Sequence, residues 1–92
     1  MQLGVTVMRL NPQATMRIVG YTDDSGSTEF NLRLSTARAG ALRGYLAANG
    51  IDPARIEAVG KGEVDFVAPN DTEENRGRNR RIEIELLGLL EE

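Results

Sequence analysis

Residues 14–50 read ATMRIVGYTDDSGSTEFNLRLSTARAGALRGYLAANG, and the reading of this stretch decides the fold. Met16 and Ile18 alternate with Arg17 as in a strand with one covered face, and the run ends in the polar turn Thr22-Asp23-Asp24-Ser25-Gly26. Ser27 suits a helix N-cap, Glu29 the positive first turn and Gly50 the stop, and no proline interrupts the segment from about Thr28 to Asn49. At about 100° per residue, Phe30, Leu34, Ala37, Ala41, Leu42 and Tyr45 fall in one apolar sector, with Arg33 and Arg43 outside it. Arg38 falls inside that sector beside Leu34, and Asn31 lies at its edge. A guanidinium left unpaired against an apolar face is costly, so Arg38 is expected to meet an anion.

Asp23 stands fifteen positions before Arg38, at the end of the strand, so a helix folding back over the sheet turns both charges towards one cleft. A carboxylate accepts from an ammonium and a guanidinium donates to a carboxylate, so the two residues suit a zwitterionic ligand. They equally suit each other, as an internal pair tying loop to helix. The spacing alone leaves both readings open.

Beyond this core the pattern continues as α+β. Ile51-Asp52-Pro53-Ala54 reads as a turn, Arg55 to Gly60 as a short strand, Lys61 to Asp71 as loop, and Thr72-Glu73-Glu74 as the start of a short helix near residues 72–80. Arg81-Ile82-Glu83-Ile84-Glu85-Leu86 alternates most cleanly and predicts a strand with one dry and one charged face. Met1 to Met8 is undecided, since Val5-Thr6-Val7 leans to strand while Leu3, Val7 and Leu10 keep helical spacing. Leu86 to Leu90 forms a short leucine-rich tail.

The composition narrows the chemistry. Ninety-two residues support one small domain, and no apolar run approaches the roughly 18 residues needed to cross a bilayer. Fourteen acidic against eleven basic residues, net −3, argue against a nucleic-acid partner. The absence of cysteine and histidine removes the thiolate nucleophile, the usual acid–base side chain near neutral pH and the commonest transition-metal ligands. Met1 is followed by no segment resembling a signal peptide. Arg76, Arg78, Arg80 and Arg81 cluster around Asn79, but no aromatic residue interleaves with them and acidic residues flank them, so a solvated face or a local ion-pair network is expected rather than a phosphate site. Gly60-Lys61-Gly62 lacks the spacing of a phosphate loop and reads as a turn, and residues 23–27 lack the alternating acids of a calcium loop. Asp23 and Asp24, adjacent on an open turn, have little to separate their pKa values as an acid–base pair. No enzyme, metal or cofactor is expected.

Taken together, Gly20-Tyr21-Thr22-Asp23, Ser25-Gly26, Asn31, Leu34-Ser35, Arg38-Ala39, Tyr45-Leu46, Gly50-Ile51, Arg55-Ile56, Gly60-Lys61-Gly62-Glu63, Asn70, Thr72, Arg76 and Asn79-Arg80-Arg81-Ile82-Glu83-Ile84 resemble the OmpA-like peptidoglycan-binding domain. The match runs over about residues 18–84 in order and spacing, with an atypical front at 1–15 and a tail at 87–92. The resemblance implies a two-layer sandwich, a mixed sheet packed by one long and one short helix. It implies non-catalytic binding of peptidoglycan through the diaminopimelate of its stem peptide, in the periplasm, as part of an outer-membrane or cell-envelope protein. Asp23 matches the aspartate that receives the ligand's ammonium, Arg38 the arginine that pairs with its carboxylate, Asn31 a nearby polar contact, Thr22 the ligand-facing loop and Arg80 a basic residue on the rim. Asn79 and Arg81 are expected to support that rim.

The sequence departs from the family pattern at Asn75, where a glycine is usual, and at the front. The family domain starts with a strand and a full helix, and residues 1–10 are too few for both: they are expected to be the helix's remnant or a strand in the vacant place. A sheet lacking one strand exposes an edge and an apolar face, predicting self-association, with a homodimer as its simplest form. The alternative to wall binding is accordingly a shortened fragment acting as an assembly module with an impaired pocket.

Overall fold

The computed structural model describes residues 2–88. The elements run α1 (Gln2–Leu10), β1 (Thr15–Tyr21), α2 (Thr28–Ala48), a 3-10 turn (Pro53–Arg55), β2 (Ile56–Gly62), α3 (Glu73–Asn79) and β3 (Ile82–Leu87). The sheet order is β2-β1-β3, with β1 parallel to β2 and antiparallel to β3. The fold is therefore α+β with a mixed sheet, as the pattern predicts.

Of the two alternatives for the front, the helix is the one observed. Val5 and Met8, three positions apart, are buried and join a core of Met16, Ile18, Leu46, Ile51 and Ile56. Arg55 ties this helix down: its guanidinium donates to the carbonyls of Met8 (2.9 Å), Asn11 (2.7 Å) and Ala14 (2.9 Å). Three carbonyls at a helix end and the following turn thus share one fixed fork of donors.

Helix α2 begins where Ser27 accepts from the Phe30 amide at 3.1 Å. It ends in a Schellman pattern, with Gly50 at φ +92°, its N–H on Ala47 O and the Ile51 N–H on Leu46 O. The apolar sector expected to pack does so only in part, through Leu42, which lies against the core, and a half-buried Leu34. The buried face is Asn31, Ser35, Ala39 and Leu46, while Phe30 is 52% and Tyr45 43% exposed, and Arg38 is exposed with them. The cause lies in two glycines of the sheet. A Cβ on Gly20 would stand 2.4 Å from Ser35 O, and one on Gly60 2.2 Å from Thr36 N, so the helix backbone rests directly on β1 and β2. Only a face of small side chains admits that approach, and close backbone packing overrides the hydrophobic pattern.

Two further expectations are corrected. Lys61 and Gly62 belong to β2 rather than to a loop, with Gly62 opposite Tyr21 after a register shift at the end of β1. The apolar side of β3 is only half dry, since Ile82 and Leu86 are partly buried but Ile84 is 41% exposed. Strand β3 has no partner on its outer side among the described residues. Of the leucine tail, residues 89 and 90 lie outside the described residues.

Candidate functional site

Strand β1 runs into Thr22 and Asp23 at the carboxyl end of the sheet. Both are buried, so the expectation of an open turn fails for Asp23 and holds for Asp24, which is exposed. Asp23 Oδ1 accepts from the Ser25 amide at 2.9 Å, a short-range Asx turn. Asp23 Oδ2 accepts from Arg80 Nη1 at 2.7 Å. Burial pushes the Asp23 carboxyl up, but the hydrogen bonds from Ser25 and the Arg80 guanidinium outweigh it and hold the group below its ordinary value of 3.8. The site thus keeps an ionised carboxylate in a nearly dry setting.

Arg80 caps the C-terminal end of α3 and bridges two acids, donating from Nη2 to Glu73 Oε1 at 2.5 Å as well as to Asp23. Hydrogen bonds to Glu73 and Asp23 raise the Arg80 guanidinium, and the Arg80 bond lowers Glu73. Arg76 pairs with Glu73 at 3.4 Å and Arg81 with Glu83 at 2.6 Å, so the basic cluster is an ion-pair network as its flanking acids predict.

The structure therefore joins Asp23 to Arg80 and leaves Arg38 apart: the internal Asp23–Arg38 pair read from the spacing is not formed. Arg38 makes no ion pair among the described residues. Its charge stays solvated because the stripe it occupies faces outward. It lies seven residues, about 10 Å along the axis, beyond Asn31, and helical side chains lean back towards the N-terminus, the end that carries the Asp23 loop.

Asn31, in the first turn of α2, is buried against that loop. Its Nδ2 donates to Ser25 O at 2.7 Å and to Glu63 Oε2 at 3.3 Å. Thr22 directs its hydroxyl to Asp23 O at 2.8 Å and its amide to Gly62 O at 2.9 Å, so it shapes the loop and keeps its hydroxyl occupied. Glu63, which also accepts from the Thr28 hydroxyl, and Glu73 were not singled out from the sequence. Their signals were available: Glu63 closes the Gly60-Lys61-Gly62-Glu63 motif and Glu73 opens the predicted short helix.

Asn79 and Arg81 hold the loop between β2 and α3. Asn79 Oδ1 accepts from the amides of Val67 (2.8 Å) and Ala68 (3.2 Å), and its Nδ2 donates to Ala68 O (2.9 Å) and Asn70 Oδ1 (2.8 Å). Arg81 stacks over the Tyr21 ring at 4.0 Å and donates to Asp65 O at 2.8 Å, against the one non-glycine residue at positive φ among the described residues. No group of three or more acidic, histidine or cysteine side chains among the described residues is placed to hold a metal, and no helix is long and apolar enough to cross a membrane.

Comparison with known proteins places the family and the fold. The model of the OmpA family matches residues 2–80. Outer membrane protein A of Bordetella avium is 47% identical over 74 residues, covering 80% of this chain and 38% of that protein. The peptidoglycan-binding protein ArfA of Mycobacterium tuberculosis (strain ATCC 25618 / H37Rv) is 45% identical over 73 residues, covering 79% of this chain and 22% of that protein. Among solved structures, the peptidoglycan-associated lipoprotein from Burkholderia pseudomallei superposes with a TM-score of 0.88 at 34% identity, over 92% of this chain and 72% of that one. The chain thus spans well under half the length of the two curated relatives. All three are named for a membrane or peptidoglycan role rather than for a reaction.

Proposed function

This chain belongs to the OmpA family, and we propose that it is a non-catalytic module that binds peptidoglycan through the diaminopimelate of the stem peptide. Asp23 receives the ammonium and Arg38 the carboxylate of that residue, with Arg80 on the rim and Asn31 and Thr22 shaping the loop. The module works in the periplasm, anchoring an outer-membrane or cell-envelope protein to the wall, and needs no cofactor. The observation that carries this reading is the contrast between the two charges: Asp23 is ionised and buried, while Arg38 spends its charge on no partner among the described residues. A buried carboxylate at a strand end suits an ammonium, and an uncommitted guanidinium suits a carboxylate. The names of the lipoprotein and of ArfA agree with the ligand class.

Calorimetric titration with a diaminopimelate-containing stem peptide tests it. Saturable binding by the wild type that disappears in Asp23→Ala and Arg38→Ala is expected, and no saturable binding by the wild type refutes it.

A second reading rests on β3. Its outer edge is unpaired among the described residues and Ile84 is 41% exposed, so a second copy could cover this side and make the chain a self-associating module. Sedimentation at high micromolar concentration distinguishes the two: a concentration-dependent dimer lost in Ile84→Lys supports it, and a compact monomer throughout excludes it.

A further inference from the structure

The Asp23 carboxylate already holds a cation from its own chain. Asp23 has only 6% of its side chain exposed, its Oδ1 is taken by the Ser25 amide, and its Oδ2 is taken by Arg80. Each oxygen keeps further acceptor capacity, but with so little of Asp23 exposed an incoming ammonium gains full access only where the Arg80 guanidinium gives way. Arg80 is the more movable member, at 36% exposure, and it holds a second seat on Glu73, 71% exposed. Its backbone is fixed by the N–H bond to Arg76 O, so any movement belongs to the side chain. Its guanidinium lies over Gly77 of α3, where an added Cβ would come within 3.3 Å of Nη2, so the glycine accommodates the seat beside Glu73.

We infer that Arg80 is a displaceable internal counter-ion: it plugs Asp23 in the free protein and withdraws onto Glu73 when a ligand ammonium takes its place. This rests on the binding reading above and deepens it by giving the site a built-in competitor. A buried carboxylate without any cation is costly, so the free protein keeps one of its own. The ligand's affinity then reports an exchange of one cation for another rather than the filling of a vacancy, and Glu73 lowers the cost of that exchange by retaining the guanidinium. A bare ammonium gains less from such a site than a ligand whose carboxylate also engages Arg38. The plug thus acts as a filter against simple amines.

Two substitutions predict opposite signs, which a merely structural role would not produce. The probe is a lysine-containing stem peptide, which offers the ammonium without the adjoining carboxylate and so removes any contact Arg80 makes with that group. Arg80→Gln, with the plug removed, binds this peptide about threefold or more tighter than wild type, and Glu73→Gln, with the second seat removed, binds it more weakly. Thermal melts of both variants confirm that the folded state is being compared. Wild-type binding of the diaminopimelate peptide with unchanged or weaker lysine-peptide binding by Arg80→Gln overturns the plug alone. Failure of the wild type and of Arg80→Gln to bind either peptide overturns the plug together with the binding reading.

Discussion

Asp23 and Arg80, 57 positions apart in sequence, meet in a 2.7 Å ion pair that joins the end of β1 to the end of α3. This pair, rather than Asp23 with Arg38, is the ion pair that the Asp23 carboxylate forms. It sets two roles apart in the fold: Arg80 pairs with Asp23 and Glu73, and Arg38 makes no ion pair among the described residues. Each role makes its own prediction.

Arg38→Ala should leave stability nearly unchanged, within about 0.5 kcal/mol, because an exposed side chain without an ion pair contributes little to folding. Urea unfolding followed by circular dichroism measures it. A large loss would mean that Arg38 packs or pairs in solution in a way the structure does not contain.

The lowered carboxyl of Asp23 fixes the sign of a pH effect. A group whose folded pKa lies below its unfolded value stabilises the protein fully above the unfolded value, here 3.8, and the contribution is lost as pH falls through the folded value. Glu73 acts in the same direction, but it is exposed and salt weakens its share. Unfolding curves from neutral pH to about pH 2 should therefore show an acid limb that is shallower in Asp23→Asn. An identical limb in the variant would remove Asp23 from the account of acid stability.

Gly60→Ala should be among the most damaging single changes, costing about 3 kcal/mol or more, because the new methyl would lie 2.2 Å from Thr36 N and 2.5 Å from its Cα, both backbone. The melting temperature of the purified variant, or its failure to fold, gives the answer. Ordinary stability would show that α2 does not rest on β2 as described.

Asn79→Ala should cost about 2–3 kcal/mol, since it leaves the Val67 and Ala68 amides and the Ala68 carbonyl without their partner. Amide hydrogen exchange should accelerate at Val67 and Ala68 more than in the β1 strand. Uniform acceleration would mean global destabilisation instead of release of the β2–α3 loop.

Much of this was legible in the sequence. Alternation marked β1 and β3, the Ser27 cap and Gly50 stop bounded α2 to within a residue, and the acids around Arg76–Arg81 foretold the ion-pair network. What periodicity misjudged was the face of α2. The apolar sector containing Phe30 and Tyr45 carries the stronger pattern, yet Gly20 and Gly60 select the small-residue face, and that choice is made by the sheet, not by the helix. The same error turned Arg38 inward on paper and kept an internal Asp23–Arg38 pair open, where the structure pairs Asp23 with Arg80. Arg80 lies far away in sequence, and no local rule brings α3 over the end of β1. Glu73 went unnoticed for a related reason: as a first-turn acid it looks like ordinary dipole compensation until Arg80 is seen beside it.

The most direct measurement is the ratio of affinities for two stem peptides that differ only in carrying diaminopimelate or lysine at the third position. If Asp23 holds the ammonium and Arg38 the adjoining carboxylate, the wild type prefers the diaminopimelate peptide by about tenfold or more, and Arg38→Ala abolishes the preference while keeping the fold. Equal affinities in the wild type, or a preference that survives Arg38→Ala, would contradict it.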